Sequence, residues 1–404
     1  MKNWYRVALF NLIVLAFLGL VLRYKINFTL NFIEQKNLLH AHSHFAFNGW
    51  IGFLLQVLIL DQFTNGYKES TKFWNTFFLL STIVNYAMII SFAWAGYTGI
   101  SIALSTVALW LSYVFAYKIY KLLPASESNK ISSHFLKAAL FFLVLSSVGP
   151  YALAIIIAAK VSHPYWSHNA LYFFLHFQYN GWFTFAVLAF LFRKLESSIG
   201  FNYRSAKIFF WLLAATCIPS LFFTSLWHHR PVTITVVIVV SALLQTVALF
   251  YLAKLFNNNI RKSFKPLASI IKWLYGLALS AFALKVLLQL FSIHPEIAQL
   301  AFGFRPIIIG YLHLIFLVFV SLFLLGILAE KSVIRPNAFS NAALTTFAVA
   351  VILNELLLGI QGLASIYYYY LPYINLILFL NTILLLAGAI LIYKSSNNII
   401  SQKL

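Results

Sequence analysis

Cysteine is almost missing from this chain: Cys217 is the only one in 404 residues. That excludes internal disulfides, Cys-based zinc sites and the Cys-x-x-Cys-His attachment of a c-type heme. Acidic residues are scarce too, with 8 Asp and Glu against 28 Lys and Arg, and charged residues of both signs reach only 9%. A soluble domain carries about a quarter charged residues. This chain is 62% hydrophobic with a mean hydropathy of +0.88. No short apolar run ends in a small-residue cleavage site, so the first apolar segment is expected to stay in the membrane. Linkers and low-complexity stretches are also lacking. The chain therefore reads as one polytopic transmembrane domain over 1–404.

Long apolar runs are what it has instead. A helix of about 20 apolar residues crosses a hydrocarbon core of ~30 Å. The sequence predicts twelve such helices, at 5–22, 38–62, 74–95, 99–121, 136–159, 169–192, 206–228, 232–254, 267–292, 307–328, 341–363 and 371–393. The net charge of +20 sits in the short loops between them. It points to topology and lipid headgroups as partners, not to nucleic acid. Of the 28 Lys and Arg, 21 fall at the termini and in the loops after even-numbered spans, 6 fall on the other side, and Lys285 lies inside span 9. By the positive-inside rule both termini are cytoplasmic.

That orientation gathers the histidines. His40, His42 and His44 open span 2, His176 lies early in span 6, His313 lies early in span 10, and His228 and His229 close span 7. All seven are expected in the outer half of the membrane. Imidazoles in a membrane interior usually bind something or relay protons. His134, His163, His168 and His294 fall in loops or at span ends and need no such reading. His40 and His44, four residues apart, share one helix face, while His42 points away from it. His228 and His229 can meet one metal only where the helix unwinds, and Arg230-Pro231 supplies a break.

The segment HFAFNGWIGF from His44 is repeated 132 residues later as HFQYNGWFTF from His176. Glycine there permits close helix approach and tryptophan a large contact surface.

Twelve spans with histidines on spans 2, 6, 7 and 10, and a His-His pair after span 7, resemble the core subunit of heme-copper oxidases and nitric oxide reductases. The resemblance implies an all-α bundle of three four-helix arcs in a bacterial inner membrane, with spans 2, 6 and 10 equivalent and HLIFLVF from His313 a weaker third copy of the repeated segment. It implies copper or non-heme iron on His176, His228 and His229. It also implies a low-spin heme between a span 2 histidine and His313. His40 fits the family spacing and His44 fits the internal repeat, so the choice within the cluster stays open. An electron donor, a partner cytochrome or a quinol, is implied as well.

The pattern departs from the family at three places. The family's first span 10 histidine, the ligand of the high-spin heme, is replaced by Tyr311. Phenolate ligation, a ligand from the span 2 cluster and absence of that heme are the open outcomes. Asn180 stands where reductases have Glu, and no tyrosine occupies the oxidase cross-link position, although Tyr179 is near. Arg230 and Arg305 are candidates for heme propionates, and Lys285 and Glu355 for an intramembrane ion pair. The expected function is a membrane oxidoreductase reducing NO or oxygen. The alternative is a non-catalytic heme or copper binder on the same scaffold.

Overall fold

The computed structural model describes residues 1–64, 66–161, 163–226 and 231–396, without the side chains of Glu69, Ala301 and Phe302. The described chain is helical, with one isolated antiparallel bridge between Ile334 and Ser396. The long helices are α1 Lys2–Asn27, α2 Gln35–Phe63, α3 Thr71–Ala95, α4 Gly99–Leu122 and α5 Ile131–Ala158. Then come α6 over 164–196 and α7 Tyr203–Cys217, followed by a 3₁₀ turn Pro219–Ser225. The last are α8 Val232–Leu255, α9 Ser269–Phe291, α10 Arg305–Glu330, α11 Ala338–Ile366 and α12 Ile374–Ser395.

Ten of these are long and apolar enough to cross a membrane, and α7 with its 3₁₀ turn makes up to eleven among the described residues. The helix α6 is outside that set because His176, Gln178 and Asn180 dilute its hydropathy, although all three are buried. Large apolar side chains stand outward, among them Trp94 at 85% and Ile90 at 70% exposure. Only lipid gives such a surface a favourable environment. The chain is an integral membrane protein.

Two compact units divide it. The first comprises Met1–Phe115, Ala268–Ala278 and Ser321–Leu404, and the second Ala116–Leu267 and Leu279–Val320. In the first, α12 packs against both α1 and α11, and α2 against α3. Gly388 of α12 allows a close approach to α11, since a Cβ there would lie 2.9 Å from the Cα of Phe347. On the unit's basic side, Asp61 accepts from the Tyr5 hydroxyl at 2.7 Å and pairs with Lys331 at 2.8 Å. In the second unit α5 packs on α6 and α7 on α8. There Glu127 bridges Lys130 and Arg193, and its hydrogen bond from Lys130 holds the carboxyl below its ordinary range.

Helices α2, α6 and α10 share an irregularity. Each turns from α to π hydrogen bonding directly after a histidine: Phe45–Gly52 after His44, Phe177–Phe183 after His176, and Leu314–Ser321 after His313. Well under 1% of residues are π-helical in ordinary proteins, so three segments in one register repeat the sequence motif in backbone form. Local chemistry accounts for two of them. A π turn is wide and tilts carbonyls outward, and neighbours capture them. Asn11 donates to the Gly49 carbonyl at 2.6 Å and is itself held by the Tyr86 hydroxyl at 2.8 Å. The Thr184 hydroxyl closes on the Tyr179 carbonyl at 2.6 Å. At Gly52 a Cβ would meet the Phe47 carbonyl oxygen at 2.6 Å, so the i to i+5 turn requires glycine there. The third segment has no glycine, and nothing in its sequence explains it.

Candidate functional site

His176, 1% exposed, is the best-defined of the sequence-selected residues. Its Nε2 lies 2.8 Å from the Cys217 carbonyl. A carbonyl only accepts, so Nε2 carries the proton and Nδ1 the lone pair. Asn180, one turn on, donates to that Nδ1 at 3.0 Å. Its own Oδ1 is buried with no hydrogen-bond partner among the described residues.

The Cys217 carbonyl is available because α7 stops there. Pro219 lacks an N–H, and the chain bends by 47° into the 3₁₀ turn. Ser220 adds a second donor to the same carbonyl at 2.9 Å. This break lies inside the span expected over 206–228, and the one the sequence suggests at Arg230-Pro231 falls on residues 227–230, outside the described residues. The role of Cys217 as a backbone acceptor had no sequence signal.

Around His176 the second unit places further polar groups. Lys285, 3% exposed, is close enough for its charge to act on His176 and Cys217. Its ammonium lies 6.0 Å from the Phe282 ring centroid and makes no ion pair among the described residues. One turn on, the Oε1 of Gln289 is also buried without a hydrogen-bond partner there. Tyr179 stands edge-on to Tyr311 with centroids 6.4 Å apart, and at the same separation from His176. Gly181 brings α5 in, since a Cβ there would meet the Phe142 Cβ at 2.5 Å.

His313 belongs to the same unit. Its Nδ1 donates to the Ile309 carbonyl at 2.8 Å, which makes Nε2 the nitrogen with the lone pair. Arg305 is exposed at the start of α10.

The three span 2 histidines lie in the first unit and divide by face as their spacing predicts. His44 stacks on Phe92 at 4.2 Å, and its Nε2 is bonded to the Tyr97 hydroxyl at 3.0 Å. Burial raises the pKa of that phenol, which keeps it protonated. His40 stands edge-on to Tyr97 at 4.7 Å, and its Nε2 is buried without a hydrogen bond among the described residues. His42 turns the other way, toward α1, where a Cβ on Gly19 would lie 3.4 Å from its Cε1. Glu355 is also in the first unit and accepts from Asn354 at 3.2 Å, whereas Lys285 is in the second.

His228, His229 and Arg230 lie outside the described residues. Among the described residues no group of three His, Cys, Asp or Glu is placed to hold a metal. Set against known proteins, the sequence matches no family model and no curated protein.

Proposed function

We propose that the chain is a divergent member of the heme-copper oxidase and nitric oxide reductase superfamily, with twelve transmembrane helices in the subunit I-like arrangement and both termini in the cytoplasm of a bacterium. In this reading it is an oxidoreductase that takes electrons from a quinol or partner cytochrome through a low-spin heme and reduces NO or oxygen at a metal held by three histidines. The observation that carries the reading is the ring of His176. Metal-bound imidazoles usually donate their other N–H to a carbonyl, which fixes tautomer and orientation. His176 has that arrangement toward Cys217 in a buried site. The repeated α-to-π turn after His44, His176 and His313 supports three equivalent helices, and π turns are frequent at functional sites.

His176 through Nδ1, with His228 and His229, would hold the copper or iron. When bound, that ion supplies an open Lewis-acid position for a diatomic gas. Asn180 now donates to Nδ1 and would turn that N–H away for a metal to bind, and its Oδ1 is a second polar atom, buried without a hydrogen-bond partner among the described residues. Lys285 adds a buried amine near His176, a group that can hold or release a proton.

For the low-spin heme, His313 and one of His40, His42 and His44 would be the ligands.

Tyr311 in place of histidine favours a second reading, a non-catalytic heme or copper binder without a high-spin heme. Optical spectra of the purified, reduced protein with and without CO or NO separate the two. A low-spin heme with a gas-sensitive component is expected for the enzyme. Copper without heme supports the binder, and a colourless, metal-free protein overturns both.

A further inference from the structure

A groove of about 530 Å³ opens on the outside of the α7–α8 pair, lined by residues that include Arg204, Lys207, Trp211, Leu212, Ala215 and Leu244. The α7 positions follow each other at helical spacing, so they form one stripe along the helix. From Arg204 to Ala215 that stripe rises about 16 Å at 1.5 Å per residue. This is close to half of a ~30 Å hydrocarbon core, the depth of one leaflet.

Its ends differ in chemistry. Arg204 and Lys207 are exposed at the end of α7 on the basic side of the chain, and among the described residues neither pairs with an acid. Beyond them the walls are apolar, and Trp211 is 59% exposed. Two unpaired cations at headgroup level above an apolar trough one leaflet long match an anionic phospholipid, phosphate on the cations and one acyl chain along Leu212, Ala215 and Leu244. We propose that this groove is a specific site for an anionic phospholipid of the leaflet on the basic side. Basic pockets between transmembrane helices on that side bind such headgroups. The site depends on neither heme nor metal.

The test titrates the full-length purified protein in detergent with phosphatidylglycerol, and separately with phosphatidylethanolamine of the same chains, counting retained lipid by native mass spectrometry. Phosphatidylglycerol is expected to be retained on the order of tenfold more tightly. Arg204→Gln with Lys207→Gln removes that preference, and Ala215→Phe, which fills the tail end, weakens retention of both lipids. Arg261→Gln with Lys262→Gln, cations elsewhere on the same side, leaves the preference intact. Equal retention of the two lipids by the parent protein overturns the proposal. So does an unchanged preference in the Arg204/Lys207 variant, or an equal loss in the Arg261/Lys262 control.

Discussion

The Nε2 of His176 donates to the backbone carbonyl of Cys217 across 2.8 Å, and so one ring nitrogen is committed before any ligand arrives. The other, Nδ1, faces Asn180. Asn180→Ala leaves His176 its orientation through Cys217 but removes the donor that competes with a metal for the Nδ1 lone pair. Copper or iron is therefore expected to be retained in dialysis against a chelator at least as well as by the parent. Weaker retention than the parent's contradicts competition at Nδ1 and makes Asn180 a support of the metal.

Gly181 and Phe142 form a matched pair. Gly181→Ala drives a Cβ against the Phe142 side chain, and overpacking of this kind costs about 1–3 kcal/mol. The midpoint of thermal unfolding in detergent is expected to drop. Adding Phe142→Leu leaves the loss in place, because leucine keeps the Cβ and Cγ that the new methyl meets, and a recovery would contradict this pairing.

The π turn of α2 depends on a side chain from α1. Asn11→Leu strips the Gly49 carbonyl of its donor, and a buried group left unsatisfied costs about 1–3 kcal/mol. Tyr86→Phe removes only the hydroxyl that holds Asn11, so its smaller effect on the unfolding midpoint ranks the two contacts.

On the basic side, Glu127 supplies a pH signature. Its carboxyl is held below the ordinary range, first by the hydrogen bond from Lys130. A depressed folded-state pKa means that the contribution is present above the ordinary carboxylate pKa near about 4.3 and is lost as pH falls through the lower folded value. Glu127→Gln is expected to be less stable than the parent at neutral pH. The two unfolding midpoints should converge below about pH 4.

Much of this was legible in advance, for identifiable reasons. Apolar runs locate helices because lipid leaves the backbone no other way to satisfy its hydrogen bonds. The shared face of His40 and His44 follows from four-residue spacing alone. The twelve-span count ran beyond the ten to eleven helices that qualify by length and apolarity among the described residues. The difference is largely α6, where polar side chains around His176 are buried and the sequence average falls. The π turns were not legible, because their register depends on donors elsewhere in the chain, such as Asn11 on Gly49. Nor was the Cys217 carbonyl, a backbone group freed by a bend at Pro219 and not by any side chain.

The most direct test is elemental and pigment analysis of the purified parent protein beside His176→Ala. The account predicts about one copper or iron per chain at the three-histidine site in the parent, its loss in the variant, and a low-spin heme retained by both. A parent without such a metal, or a variant that keeps it in full, contradicts the central claim.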